Sequence, residues 1–296
     1  MSTIIEPIEQ PKPADTAERQ VLAYPRDFRG HRFVYFTISP RARGLSVGVN
    51  LNPEKRCNFD CVYCEVDRRV PVAGAALDLS VLARELESTI ALVMSGKLRE
   101  QSPYSRVPPE LLRLRHVAIS GDGEPTLCPQ FREAVETIAH VRATSGGAFF
   151  KIVLITNASN LDAEEVQSGL RLLTRDDEVW AKLDVGTQAT MDLVNKPEVP
   201  LEKILSNILL VALQRPIVIQ SLFPAVNGCA PSEQDIEHYA QRLKELTVAG
   251  AQISLVQIYS ATRPTVNPQC GHLPLRTLSR IAQTVRSRTG LKAEIF

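Results

Sequence analysis

The sequence predicts an α/β fold built on a parallel sheet, and three observations predict it. Short runs rich in Val, Ile and Leu alternate with longer segments whose apolar residues recur three and four apart. The strand–helix–strand alternation recurs along the chain, as parallel strands joined by right-handed crossovers require. Polar side chains gather at the C-terminal ends of the strand candidates and are sparse in their interiors.

Residues 1–20, rich in Pro, Glu, Gln and Ala, lack apolar periodicity and are expected to form a flexible tail. Residues 21–44 read as a basic and aromatic N-terminal extension. In and just before it, Arg19, Arg26, Arg29, Arg32, Arg41 and Arg43 interleave with Tyr24, Phe28, Phe33, Tyr35 and Phe36. Arginines for phosphates and rings for base stacking suit an RNA ligand. Rings packed onto the sheet with arginines in water suit the same residues.

Residues 45–296 carry the α/β pattern. Strand candidates are 45–51, 116–120, 150–156, 178–184, 216–223 and 252–259; helix candidates are 78–97, 129–144, 162–173, 201–213, 232–249 and 274–289. Asp162 and Ser232 are placed to cap helices, and Gly250 to end one in the left-handed conformation. The strand ends present Asn50 and Asn52, Ser120 to Glu124, Thr156 and Asn157, Lys182 and Asp184, Gln220 and Ser221, and Gln257 and Tyr259. A ligand belongs at those ends in a barrel and in an open sheet alike. The strands alone leave the two architectures open.

A chain of 296 residues with 44% hydrophobic and 23% charged residues has the composition of a globular protein. Its formal net charge of +1 gives no global field for nucleic acid or membrane. The most apolar stretch, 204–226, is interrupted by Gln214, Arg215 and Pro216 and does not read as a membrane span. The N-terminus lacks the pattern of a secretory signal, so the cytoplasm is the expected location. In a reducing compartment, clustered cysteines serve metals or redox chemistry more often than structural disulfides.

Such a cluster is 57-CNFDCVYC-64, which holds Cys57, Cys61 and Cys64; Cys128, Cys229 and Cys270 are scattered. Spacing alone admits a zinc site completed by a distant ligand, a Cys61–Cys64 disulfide, or an iron–sulfur cluster with one iron left open. The loop follows the first strand candidate, at the end where barrel active sites form. After the next strand candidate comes 120-SGDGEPTL-127. There Gly121 and Gly123 allow close backbone approach, and Glu124 offers a carboxylate to an ammonium group.

CNFDCVYC, with Tyr63 before the last cysteine, resembles the CxxxCxxC motif of radical S-adenosylmethionine enzymes, and GDGE resembles their GGE element. RGLSVGVNLNPEKRCNFDCVYCEV, the KLD of 182–184, 195-NKP-197 and 257-QIYSATRPT-265 are similar to the group related to tRNA wyosine-base synthases, over about residues 38–290. The resemblance implies a partial (β/α)6 TIM-like barrel of parallel strands. It further implies a 4Fe-4S cluster on the three cysteines, whose open iron binds S-adenosylmethionine. Reductive cleavage then yields a 5′-deoxyadenosyl radical that attacks a substrate such as a tRNA base. An external electron donor, flavodoxin or ferredoxin, is implied as partner.

On this reading Tyr63, Gly121, Asp122, Gly123, Glu124, Asn157, Asp184, Gln220 and Gln257 are expected to contact the cofactor, with Asp184 at the ribose and the glutamines at adenine. Lys182 is the candidate catalytic residue, either binding substrate or forming a Schiff base. Arg263 is the candidate anchor for a substrate carboxylate or phosphate. Two further readings stand beside this one: a non-catalytic zinc or iron–sulfur protein, and a radical enzyme acting on a small molecule or peptide. Cys229 and Cys270 follow the last two strand candidates and are the candidates for an auxiliary site.

Overall fold

The structure is a computed structural model that describes residues 28–70, 72, 76–146 and 149–296. The expected tail and the first part of the extension lie outside the described residues. The chain opens with a hairpin of β1 (Val34–Ser39) and β2 (Gly44–Val49). Helix α1 (Leu79–Met94) starts at Asp78, whose side chain accepts from the amides of Ser80 and Val81. Glu85 on α1 pins the start of β1 by accepting from the amides of Arg32, Phe33 and Val34 at 2.8–3.2 Å.

There follow β3 (Leu114–Ile119), α2 (Phe131–Thr144), β4 (Lys151–Thr156), α3 (Glu164–Leu170) and β5 (Glu178–Lys182). Next come α4 (Gln188–Val194), α5 (Leu201–Ala212), β6 (Ile217–Leu222) and the short β7 (Ala225–Val226). The chain finishes with α6 (Glu233–Val248), β8 (Ile253–Tyr259), the short β9 (Cys270–Gly271), α7 (Leu275–Thr289) and β10 (Ala293–Ile295).

Eight strands form one sheet in the order β1-β2-β3-β4-β5-β6-β8-β10, parallel throughout except for the β1–β2 pair. The sheet curls into a half-barrel. Its two edges approach closely enough for Arg43, in the β1–β2 turn, to reach Glu294 on β10 at 3.2 Å. The six expected parallel strands are β2, β3, β4, β5, β6 and β8. Strands β1 and β10 extend the sheet at its edges, so residues 34–39 of the expected extension belong to the barrel's own sheet.

Two cores sandwich the sheet. The main one lies between the strands and the outer helices; the smaller one, Val153, Trp180 and Val218 with Ile155 and Leu255, fills the concave side. Ser232 caps α6 in a reciprocal box with Asp235, and Gly250 follows the helix at φ +96°. Asp162 does not cap α3: its carboxylate pairs with Lys203 at 2.5 Å, and the helix begins two residues later without a side-chain cap. That helix covers only 164–170 of the expected 162–173. Among the described residues no helix is long and apolar enough to cross a membrane.

Candidate active site

The cysteine loop leaves the end of β2 and is strapped on three sides. Against the segment after α4, Asp60 N donates to Asn195 O at 3.1 Å, Val62 N to Val194 O at 2.9 Å, and Glu198 N to Asn58 O at 3.0 Å. Against the loop after β8, Val266 N donates to Cys64 O at 3.0 Å. Against the GDGE turn, Glu124 N donates to Arg56 O at 2.9 Å, and Asn52 Nδ2 donates to Glu124 O. The segments that resembled one another's relatives only in pieces are therefore neighbours in space.

The glycines of GDGE serve this docking. A Cβ on Gly123 would stand 2.0 Å from the Arg56 carbonyl oxygen, and one on Gly121 would stand 2.4 Å from Asn50 Oδ1. Asp122 accepts from Asn50 Nδ2 at 2.6 Å and donates its amide to Asn50 Oδ1. Glu124 is buried and both its oxygens accept hydrogen bonds. Oε1 accepts from Thr126 N, Thr126 Oγ1 and Thr156 Oγ1 at 2.6–3.1 Å, and Oε2 from Asn157 N at 2.7 Å. The carboxylate expected to meet an ammonium group thus ties the ends of β3 and β4 together. Asn157 continues the tie, donating to Asn58 Oδ1 in the cysteine loop at 2.9 Å.

Asp184 lies beneath the loop. Its Oδ2 accepts from Tyr63 Oη and from Asn195 Nδ2, the latter at 2.7 Å, while Oδ1 accepts from Leu222 N at 2.8 Å. Asn195 also reaches Tyr63 Oη at 3.1 Å and Cys61 Sγ at 3.6 Å. Asp184, the residue expected at ribose, sets the position of Tyr63 and, through Asn195, of Cys61. Lys182 Nζ stands 3.8 Å from Asp184 Oδ1 and 4.8 Å from the centre of the Tyr63 ring. Burial, the largest influence, favours its neutral amine, but Asp184, Tyr259 and Cys61 together outweigh it and the pKa is raised, so the side chain is an ammonium at neutral pH.

Burial pushes the Cys57 thiol up to about 12, with Glu124 adding to it, and the Cys61 thiol up to about 11. Arg68 is the nearby counter-charge. Burial would lower its pKa, but Cys64, Cys57 and Cys61 act on it together and raise it. All three cysteines thus lie within electrostatic reach of Arg68. Beside Cys61 and Cys64 lies a cavity of about 220 Å³ whose walls include Arg68, Lys196 and Val266. Three free thiols in one loop, two of them beside a cavity, would suit an iron–sulfur cluster held by Cys57, Cys61 and Cys64.

Register places Lys182, Gln220 and Gln257 in one row across β5, β6 and β8. Gln220 Nε2 donates to Gln257 Oε1, and Tyr259 Oη donates to Gln220 Oε1, both at 3.2 Å. Arg263 pairs with Glu65 at 3.4 Å. Cys229 and Cys270 both pair through their backbones with Val226, one on each side; with one strand between them, they are not positioned for a direct disulfide. Cys128 is a buried core residue.

On the concave side a chamber of about 310 Å³ separates β1 from the inner faces of β2, β3 and β5; His116 and Trp180 line it, with ring centres 5.4 Å apart. Burial pushes the His116 pKa down to about 4; Glu178 opposes this shift, and Lys151 and Arg41 support it. The unfolded chain then binds more protons between pH 4 and about 6.5, so stability falls as pH drops through that window. The expected loss attributable to His116 is roughly 3 kcal/mol by pH 4. Urea unfolding of His116→Gln should show a correspondingly flatter pH dependence, and an unchanged slope would refute this assignment.

Sequence reasoning did not assign roles to Asn195, Asn58, Asn50, Arg68 or Tyr259. Asn195 lies within the NKP stretch, whose resemblance was its one available signal.

No family model matches the chain. A UPF0026 protein of Helicobacter pylori is 26% identical over 227 residues, covering 75% of this chain and 66% of that protein. A UPF0026 protein of Methanocaldococcus jannaschii is 26% identical over 179 residues, 58% of this chain and 47% of that one. The chain thus spans just under two thirds, or less, of the length of these relatives. Among solved structures, SuiB of Streptococcus suis bound to S-adenosylmethionine superposes with a TM-score of 0.59 at 13% identity. The match covers 86% of this chain and 52% of that one. TYW1 with a lysine–pyruvate adduct bound gives 0.56 at 14% identity, covering 94% and 91%. The fold is the half-barrel shared with SuiB and TYW1, in keeping with the partial barrel the sequence led us to expect.

Proposed function

We propose that the protein is a radical S-adenosylmethionine enzyme whose Cys57, Cys61 and Cys64 hold a 4Fe-4S cluster with one iron open to S-adenosylmethionine. The observation that carries this reading is the docking of the three-cysteine loop onto GDGE at the C-terminal mouth of a parallel half-barrel. When bound, the cluster and S-adenosylmethionine supply one electron and a 5′-deoxyadenosyl radical able to take hydrogen from a substrate.

The chain's own residues hold and orient. Asn195 and Tyr63, fixed by Asp184, set Cys61 in place. Beside Glu124, whose Oε2 accepts only from Asn157 N, Asn52 Oδ1 is buried and without a hydrogen-bond partner among the described residues, and is a further acceptor for the ammonium group of S-adenosylmethionine. The charged Lys182 suits recognition of an anion better than attack on a carbonyl, which needs the free amine. The rings of Phe33 and Phe36 are buried and do not offer faces for base stacking, while Tyr35 packs over Gly48, bonds Ser120 at 3.0 Å and lines the chamber. A tRNA base as substrate rests on the resemblance of residues 43–66, 182–184, 195–197 and 257–265 to the wyosine-base synthase group. The reducing electron comes from a separate flavodoxin or ferredoxin.

Anaerobic reconstitution with iron and sulfide should give a brown protein that, once reduced, converts S-adenosylmethionine to 5′-deoxyadenosine and methionine. Cys61→Ala should bring that product below detection. A colourless protein holding stoichiometric zinc under the same conditions would overturn the proposal in favour of a zinc site.

A further inference from the structure

We infer that the chamber under the β1–β2 hairpin binds a small organic anion, a carboxylate or phosphate, with Arg41 as its principal anchor. The inference rests on the proposed enzyme reading only in calling that anion the substrate. Arg41 lies in the turn between β1 and β2 and forms part of the chamber wall, as does Arg263. Its guanidinium stacks on the Tyr259 ring at 4.1 Å, while its Nε is buried and has no hydrogen-bond partner among the described residues.

The local charge is unbalanced. Lys182 approaches the same tyrosine ring at 5.9 Å but has Asp184, and Arg263 has Glu65. Among the described residues no carboxylate pairs with Arg41. A partly buried guanidinium stacked on an aromatic ring, with a donor left unsatisfied, is arranged to receive a planar or tetrahedral anion. Ser46, Gly48, Ala118 and Ser120 also line the chamber as small residues on β2, on β3 and just after β3, two of them with hydroxyls, together with His116 and Trp180. The neutral His116 adds a hydrogen-bonding group without adding charge.

The chamber volume of about 310 Å³ suits a small molecule. Glu65, in the wall with both arginines, holds Arg263 until an anion arrives.

Trp180 is the single tryptophan of the chain and lines the chamber, so its fluorescence reports occupancy. The full chain is titrated at constant ionic strength with benzoate, with inorganic phosphate, and with benzamide as the neutral isostere of benzoate. Saturable change with either anion and none with benzamide is expected; the tighter of the two distinguishes a carboxylate from a phosphate ligand. Arg41→Met should weaken anion binding at least tenfold, Arg41→Lys less, and Glu65→Gln should tighten it severalfold. Thermal unfolding of each variant checks that the fold is retained, and Arg41→Lys keeps the comparison available should Arg41→Met unfold.

Equal responses to benzoate and benzamide, or unaltered affinity in both Arg41 variants, would overturn the inference. Displacement of benzoate by S-adenosylmethionine would also overturn it, by assigning the anion site to the cofactor. Anion binding without any 5′-deoxyadenosine production would count against the enzyme reading and leave the chamber standing. The reverse result would do the opposite.

Discussion

Replacing Asp184 by Ala is expected to destabilise the protein by roughly 3–5 kcal/mol, the range for removing one partner of a buried ion pair. The Asp184 and Lys182 side chains are 1% and 18% exposed, so the ammonium left behind has little water to replace its partner. Tyr63 Oη, Asn195 Nδ2 and Leu222 N lose their acceptor at the same time. Asp184→Asn keeps the shape and one acceptor oxygen, so about half that loss is expected. Adding Lys182→Met to Asp184→Ala should restore part of the stability, because the unpaired charge then disappears. Urea unfolding of the four proteins measures all of this. A loss below about 1 kcal/mol in Asp184→Ala would show that the carboxylate does not support the loop. Reconstituted iron per chain should fall with stability, since Tyr63 and Asn195 are what hold Cys61.

The second large effect is at Gly123. An added methyl would meet the Arg56 carbonyl at 2.0 Å and Asn52 Cβ at 2.8 Å, and the nearest atom belongs to backbone that cannot swing aside. Gly121→Ala meets the Asn50 side chain from Oδ1 at 2.4 Å to Cβ at 2.7 Å; the amide end can turn aside at the expense of its bonds to Asp122, but the Cβ contact also needs a small shift of the chain. Overpacking then predicts a loss of about 3 kcal/mol for Gly123→Ala and about 2 kcal/mol for Gly121→Ala. The order matters more than the values. Gly123→Ala must push the cysteine loop from the GDGE turn, so it should also lower cluster content, measured as iron and sulfide per folded chain. Equal effects at the two glycines would refute the idea that backbone docking is what GDGE provides.

Much of the fold was legible because it is periodic. The six central strands and most outer helices follow from apolar spacing, and Ser232 and Gly250 mark the ends of α6 as their chemistry requires. The edge strands were harder. β1 lies in a stretch whose arginines and rings also suit an exposed arm; its place in the sheet depends on Glu85, some fifty residues away. Asp162 had the right type and position for a cap, but Lys203 on α5 took its carboxylate, and a local signal lost to a tertiary one.

The candidate site divides the same way. Three cysteines in one loop and two glycines in one turn are local patterns and could be found. What each polar group touches is set by the junction of distant segments. Glu124, Asn157 and Asp184 therefore sit where strand ends led us to look, while their hydrogen bonds run to the protein itself. Arg41 falls in the stretch whose arginines and rings suit either RNA or packing on the sheet; the β1–β2 turn brings it to Tyr259.

A closed eight-stranded barrel has no flank, and everything reaches its interior through one end. Here the two edge strands meet across an ion pair in which Arg43 is 74% exposed, a contact of the kind worth at most about 1 kcal/mol and weakened by salt. β10 is only three residues long, which limits how much unpaired edge it offers to another chain. The seam between them is thus a side door with a light latch. The concave side thus has a lateral approach past Arg43, separate from the mouth at which the cysteine loop sits.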